Sequence, residues 1–179
     1  AQFLKAQKIV VGRDHRLSSP ALYQAVVTGL VEEGVEVVDA GIVSTPMFNF
    51  AVAAYPEHDG GIMITASHNP KEYNGLKLCT AGARPVGKES GMDKIEQLVA
   101  QITNNKSQIT NKFQILISKF QTNPKILKSK NPKIKKLDIL KPYTDKVMSL
   151  VPADELTSLR AKVVVDPANG LGSIACTEL

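Results

Sequence analysis

Cysteine, histidine and long apolar stretches are scarce in this 179-residue chain, and each shortage excludes a class of protein. The two cysteines, Cys79 and Cys176, form no CxxC pair, which argues against a disulfide framework or a zinc site. No apolar run has the length of a transmembrane helix and no signal-peptide pattern opens the chain, so we expect a reduced, cytoplasmic protein. The histidines lack metal-ligand spacing, so His15 and His58 are interpreted as ordinary surface or turn residues.

Acidic residues are nearly absent from one segment, residues 104–141, which holds ten lysines and a single acid, Asp138. That segment therefore has a net charge of +9. Because the whole chain has a net charge of +5, the remaining residues have a net charge of −4. Its only aromatics, Phe113 and Phe120, are too few for a base-stacking surface. We interpret residues 104–137 as a solvated basic insert, helical at most around those two phenylalanines, rather than a nucleic-acid-binding site.

Strand and helix patterns alternate along the first hundred residues, which indicates an α/β fold. Short runs rich in β-branched residues at 8–12, 35–41 and 60–67 predict buried strands. Pro20 and Pro46 stand where the helices after the first two strands begin. A fourth strand, 74–79, follows an Asn-Gly turn and is expected to pair antiparallel with the third. The prediction is a three-layer α/β/α sandwich with a mixed sheet.

The remaining patterns predict two more helices and a further βα unit. Residues 89–102 form an amphipathic helix with an inward apolar face, and residues 138–151 regain helical spacing. Residues 161–179 predict a strand, a glycine-rich turn and the first part of a helix. We therefore expect a first domain over 1–155, including the insert, and the start of a second, truncated domain over 160–179. The inward apolar face of the predicted helix at 89–102 comprises Ile95, Leu98, Val99 and Ile102.

Hydrogen-bonding side chains concentrate just after the third strand, in the stretch MITASHNPKEYNGLK at 63–77. Ligands of open α/β sheets bind at the carboxyl ends of strands, and this cluster, with Lys71 and Lys77 nearby, suits a phosphate or another anion. The alternative is an ordinary polar turn, which the residue types alone favour. Two observations argue against a serine hydrolase: the motif G-x-S-x-G is absent, and Ser67 and His68, on an extended chain, would point in opposite directions.

Four ordered motifs carry a resemblance to a known family. They are VVGRDHRLSSPAL at 10–22, GIVSTP at 41–46, TASHNP followed by NGLK within 63–77, and VVVDPANGLG at 163–172. Together they resemble the α-D-phosphohexomutases, most closely the bacterial phosphomannomutase/phosphoglucomutase branch. The phosphoglucosamine mutases are similar enough to stay open as an alternative. The resemblance covers residues 8 to about 103 and 138–179.

The resemblance implies a four-domain isomerase in which Ser67 is phosphorylated. The phosphoserine would donate its phosphoryl group to a hexose 1- or 6-phosphate, and the bisphosphate would turn over and return the other phosphoryl group. A hexose 1,6-bisphosphate would act as activator. By the same resemblance Lys77 acts in acid/base catalysis or charge neutralisation, His68 orients the reacting groups, and Asn69 shapes the loop. The phosphoryl group on Ser67 would also ligate Mg²⁺.

Several family features are not found in the 179 residues. The D-G-D-x-D loop that supplies the three other magnesium ligands does not occur, so we expect the chain alone to be inactive. The competing hypothesis is a non-catalytic remnant or interaction module with a basic insert. Arg13, Asp14 and Arg16 are interpreted mainly as a structural ion-pair cluster.

Overall fold

The computed structural model describes residues 1–104, 131–152, 162–167 and 170–176. The helical stretch expected around Phe113 to Phe120 lies outside the described residues. Within them, no helix is long and apolar enough to cross a bilayer. In chain order, the elements are β1 (Lys8–Arg13), α1 (Ser19–Glu32), β2 (Glu36–Ile42), α2 (Thr45–Ala53), β3 (Gly60–Ile64), β4 (Leu76–Thr80), a 3-10 turn (Ala81–Ala83), β5 (Arg84–Pro85), a π-helical turn (Lys88–Met92), α3 (Asp93–Asn104), β6 (Ile134–Lys136), α4 (Leu140–Met148) and α5 (Gly172–Cys176).

The six described strands form one mixed sheet in the order β5-β4-β3-β1-β2-β6. β1 pairs in parallel with both β2 and β3, and β2 pairs in parallel with β6. β4 runs antiparallel to β3, as the Asn-Gly turn predicts, and β5 runs antiparallel to β4. The chain leaves β1 toward β2 and leaves β3 toward β4, so the connections from these two neighbouring strands run in opposite directions. The crevice between the carboxyl ends of β1 and β3 is therefore the expected ligand position in such a sheet.

Alternate residues of β1 enter separate apolar cores on the two faces of the sheet. Val10 packs in the core under α2 and α4, whereas Ile9 and Val11 pack in the core under α1. Residues of α1 and α3 line one apolar groove, which places α3 on the same face of the sheet as α1. This arrangement confirms the predicted α/β/α sandwich.

Phe48 of α2 is the largest fully buried side chain in the described part of the chain, and two glycines make room for its ring. A Cβ on Gly61 would come within 2.6 Å of Phe48, and one on Gly12 would come within 3.2 Å. The absence of a side chain at both positions lets α2 approach the sheet closely. Because the chain enters α2 directly from β2, this packing also fixes where the first turn of α2 lies.

The end of β3 and the exposure of one residue of α3 differ from the predictions. β3 ends at Ile64 rather than Ser67, because the Ser67 backbone turns out of the strand with a φ of 58°. In α3, Ile95 and Leu98 are half-buried as expected, whereas Val99 lines the same apolar groove but is 53% exposed. The side chain of Ile102 lies outside the described part of the chain.

The basic insert was predicted to have no strand, and for residues 134–136 this is wrong. The Val37 amide donates to the Lys133 carbonyl and the Leu137 amide donates to the Asp39 carbonyl, so this stretch becomes the edge strand β6. Its lysines are accommodated because an edge strand leaves one side in solvent. Lys135 also forms an ion pair with Glu36 at 2.7 Å.

The strand predicted from AKVVVD is absent from described residues 162–167, and Val164 is 92% exposed. Strands need a neighbour for their backbone groups, and none of the six described strands pairs with this run. The helix predicted after it begins as expected, in α5.

Candidate active site

A cleft of about 930 Å³ opens at the edge of the sheet where β1, β2 and β3 end. Each strand sends its following loop into the wall, because parallel strands present their carboxyl ends at the same edge. The polar and charged lining residues are Asp14, His15, Arg16, Ser44, Thr45, Thr65, Ser67, His68, Asn69, Lys71 and Glu72. The cluster that the sequence placed after β3 therefore belongs to a cleft built mainly by three loops, with Gly170 and Leu171 also in its lining.

Ser67 stands at the rim of the cleft in a left-handed backbone conformation. Its φ of 58° is unusual for a residue with a Cβ and costs roughly 1–2 kcal/mol. The Ser67 amide donates a 2.9 Å hydrogen bond to Oγ1 of the buried Thr65. The hydroxyl itself is on the exposed side, which leaves Ser67 Oγ accessible to a bound molecule.

The expectation that Ser67 and His68 point apart is wrong. It assumed an extended chain, whereas the left-handed turn brings Ser67 Oγ to 3.4 Å from His68 Nδ1. That separation is longer than an ordinary hydrogen bond, so His68 is near the hydroxyl without being tightly bonded to it. At this distance the His68 imidazole could contact a chemical group that is attached to Ser67 Oγ.

The guanidinium of Arg16 binds the backbone of the loop that carries Ser67. One terminal nitrogen of the guanidinium, Nη2, donates to the carbonyls of Ser67 at 2.9 Å and Asn69 at 2.8 Å. The other, Nη1, donates to the carbonyls of Pro70 at 2.7 Å and Tyr73 at 3.1 Å. Four carbonyls of one loop are thus satisfied by a single side chain from the loop after β1.

Asp14 fixes the direction of Arg16 through a 3.0 Å ion pair with its Nε. Burial alone would raise the pKa of the Asp14 carboxyl, but hydrogen bonds from Ser19, Arg16 and Thr65 outweigh it and lower the pKa. Asp14 therefore stays ionised. Arg13 does not join this cluster, contrary to the sequence interpretation, because its guanidinium lies 5.9 Å from the ring centre of Tyr23 on the α1 side of the sheet.

Lys77 lies on β4 opposite Met63 in the antiparallel register, so the two side chains share a face of the sheet. Met63 is part of the cleft wall, whereas Lys77 is exposed and outside the lining. Lys71 lies within it. The structure thus brings Ser67 and His68 together and leaves Lys77 beside the cleft.

The sequence did not predict the parts of this site that depend on long-range contacts. Ser44 and Thr45 at the start of α2 line the cleft, and only their appearance in GIVSTP signalled them. His58 was interpreted as a surface or turn residue, but it is buried and its Nδ1 lies 2.8 Å from the Ala51 carbonyl. It follows a turn after α2, and its burial comes from packing that the local sequence does not reveal. His15 is exposed as expected.

A family model described as "Phosphoglucomutase/phosphomannomutase, alpha/beta/alpha domain I" matches residues 1–106. The chain belongs to the phosphoglucomutase/phosphomannomutase family. A Vibrio cholerae phosphomannomutase is 33% identical over 99% of the chain and 34% of its own length. A Thermococcus kodakarensis phosphoglucomutase/phosphomannomutase is 34% identical over 93% of the chain and 32% of its own length.

A crystal structure of a phosphoglucomutase/phosphomannomutase family protein from Burkholderia thailandensis has a TM-score of 0.56 to this chain at 27% sequence identity. The structural match covers 83% of this chain and 28% of the crystallised protein. The chain therefore spans about a third of the length of these relatives. The TASHNP motif, at residues 65–70, lies within the stretch that the domain I model matches.

The resemblance implies Mg²⁺ for this family, but the described residues do not by themselves fit a magnesium site. Mg²⁺ needs several oxygen ligands, usually including carboxylates. Among the described lining residues, Asp14 and Glu72 are the carboxylates, and the Asp14 oxygens already accept hydrogen bonds from Ser19 and Arg16. No cluster of three or more candidate ligands exists among the described residues.

The strained backbone at Ser67 predicts an inverted order of stability for two variants of this family member. Ser67→Gly should be more stable than Ser67→Ala by about 1 kcal/mol, because glycine adopts a positive φ without a Cβ clash. Urea unfolding of the 179-residue chain measures the difference. At Ser149, where φ is −65°, the order should reverse and glycine should be the less stable. Equal stability of the two Ser67 variants would disprove the strain.

Proposed function

We propose that residues 1–155 form the phosphoserine-bearing domain of a phosphohexomutase, with residues 160–179 as the start of its second domain. The observation that carries this proposal is Ser67, an accessible hydroxyl presented at the carboxyl end of a parallel strand within TASHNP. Ligand sites of open α/β sheets lie at this position. The complete enzyme would convert hexose 1-phosphates and 6-phosphates into one another.

In the proposed reaction Ser67 Oγ carries a phosphoryl group into the cleft. A hydroxyl oxygen of the bound sugar phosphate attacks the phosphorus and the bond from phosphorus to Ser67 Oγ breaks. The proton of the sugar hydroxyl passes to a base, and Ser67 Oγ takes up a proton as it leaves. Phosphoryl transfer needs positioning and charge neutralisation more than covalent chemistry from other residues. His68, 3.4 Å from Ser67 Oγ, is proposed to orient the group, and Asn69 to shape the loop.

Lys77 is proposed as the acid/base or charge-neutralising residue. Its exposed ammonium stands on a flexible four-carbon stem, which gives it reach from β4 toward the rim. Lys71, already in the lining, would add positive charge near the anionic substrate. In the complete enzyme Mg²⁺ would neutralise the phosphoryl charge when bound, and a hexose 1,6-bisphosphate would prime Ser67.

The sugar is proposed to be glucose or mannose phosphate, with glucosamine phosphate as the alternative. The alternative has one specific support, a Pyrococcus abyssi relative named "Probable phosphoglucosamine mutase" that is 32% identical over 96% of this chain. Members with either name match this chain over about a third of their own length. The choice therefore lies with residues of the longer relatives outside the matched third.

The test joins this chain to the remaining two-thirds of the Vibrio cholerae phosphomannomutase, in place of that protein's matching third. We call the product the joined protein. With Mg²⁺ and glucose 1,6-bisphosphate, it should convert mannose or glucose 1-phosphate to the 6-phosphate, and glucosamine 1-phosphate serves as the comparison substrate. A folded joined protein without turnover on any of the three would contradict the proposal.

The separate 179-residue chain should show no turnover in the same assay, since its described residues offer no magnesium ligand cluster. Measured mutase activity of that chain would contradict the proposed incompleteness. The competing interaction-module hypothesis expects an unmodified Ser67 and an inactive joined protein.

A further inference from the structure

The guanidinium of Arg16 has no donor left for a substrate. An arginine side chain carries five N–H groups, one on Nε and two on each terminal nitrogen. The two terminal nitrogens make four bonds of 2.7–3.1 Å to carbonyls of the loop, and Nε donates to Asp14 at 3.0 Å. All five donors are therefore used inside the protein. Although Arg16 lines the cleft, its hydrogen-bonding geometry is that of a support rather than of a phosphate ligand.

The support is itself anchored to two other elements. Asp14 accepts hydrogen bonds from the Ser19 hydroxyl and from the Arg16 amide, which ties it to the first turn of α1. The Asn74 side chain donates to the hydroxyls of Ser18 and Ser19 and accepts from the Gly75 amide just before β4. One continuous network of hydrogen bonds thus joins β1, α1 and both ends of the loop that carries Ser67.

This network acts on the backbone of Ser67 itself. The Ser67 amide is bound by Thr65 and the Ser67 carbonyl is bound by Arg16, so both peptide units around its Cα are fixed. A left-handed residue with a Cβ persists only where its surroundings hold it. With φ held at 58°, rotation about the Cα–Cβ bond is the freedom that remains to the hydroxyl.

We propose that Arg16 is a positioning residue for phosphoryl transfer, which holds Ser67 in its left-handed conformation and thereby aims Ser67 Oγ into the cleft. The proposal rests on the proposed function only for the transfer step, since the conformational claim stands on the 179-residue chain. A lysine cannot replace Arg16, because one ammonium with three donors cannot reach four carbonyls and Asp14 at once. Charge alone is therefore insufficient at this position.

The structural arm of the test compares Arg16→Ala and Arg16→Lys with the parent chain by nuclear magnetic resonance. The readouts are the amide-to-α-proton coupling of Ser67, which reports φ, and the exchange rate of the Ser67 amide. Both variants should change the coupling and accelerate exchange by about tenfold to a hundredfold, the range expected for losing charged hydrogen bonds. Arg13→Lys is the matched control and should leave both readouts unchanged, because Arg13 lies against Tyr23.

Chemical rescue separates positioning from general destabilisation. Guanidinium chloride at about 20 mM, far below the molar concentrations that unfold proteins, should restore the Ser67 coupling in Arg16→Ala. Methylammonium at the same concentration should not. If Arg16→Ala does not fold, Arg16→Lys carries the same comparison through its coupling and exchange. A parent-like Ser67 in the folded variants would overturn the proposal.

The functional arm uses the joined protein. Arg16→Lys should lower kcat by about tenfold to a hundredfold with little change in KM for the sugar phosphate, because the support makes no substrate contact. A parent-like kcat, or a loss confined to KM, would overturn the positioning role. An inactive parent would instead count against the proposed function, whereas the coupling and exchange results would still decide the conformational claim.

Discussion

Replacing Ser67 with alanine is expected to reduce turnover of the joined protein by at least about a thousandfold. The change removes the oxygen that carries the phosphoryl group, and loss of a covalent nucleophile in other enzymes costs more than this. The assay follows formation of the hexose 6-phosphate. The backbone of Ser67 keeps its bonds to Thr65 and Arg16 in the variant, so the loss would belong to the hydroxyl rather than to the loop.

Ser44→Ala is the matched control, because Ser44 lines the same cleft and also loses a hydroxyl. Ser44 caps α2 through a 3.4 Å bond from the Met47 amide, so its replacement should cost about 1 kcal/mol of stability and leave turnover within severalfold of the parent. Comparable turnover of the Ser67 and Ser44 variants would refute the role of Ser67 as phosphoryl carrier.

Replacing Phe48 with alanine is expected to lower the free energy of unfolding by about 3–5 kcal/mol, toward the upper end of that range. Its ring fills space that Gly12 and Gly61 leave open, and neither glycine has a side chain that could relax into the void. A loss of this size is a large part of the stability of a typical domain. Urea unfolding of the 179-residue chain measures it.

Phe50→Ala is the control for Phe48, since both replace a phenylalanine of the same helix. Phe50 is half-buried and packs edge-on against Tyr143 with ring centres 5.8 Å apart, so its loss should cost about 1–2 kcal/mol. Equal losses at the two positions would show that the glycine-lined space does not hold the ring as described.

The sheet was predictable where strands are apolar and neighbours are close in sequence. The apolar runs rich in β-branched residues at β1, β2 and β3 predicted buried strands without knowledge of their neighbours. The Asn-Gly turn predicted β4 as the antiparallel partner of β3. β6 was missed because its residues are mostly lysine. It exists through backbone bonds to β2 and the pairing of Lys135 with Glu36, which is 99 positions away in the chain.

The site was predictable in its location and not in its geometry. Residue types and the family motif located Ser67 and His68. They did not reveal the left-handed backbone that brings the two together, nor the hydrogen bond from Arg16, 51 positions earlier, to the Ser67 carbonyl. The sequence suggested only an ion pair for Arg16. In the loop, Arg16 binds backbone carbonyls. Every residue type has a backbone carbonyl, so these contacts cannot be predicted from the pattern of side chains.

The central claim is that Ser67 carries a phosphoryl group. It is tested most directly by incubating the joined protein with glucose 1,6-bisphosphate and Mg²⁺ and mapping the phosphate by mass spectrometry of the peptide that spans residues 63–77. We expect one phosphoryl group, located on Ser67. A peptide with Ser67 unmodified, or with the phosphate on another residue, would contradict the claim.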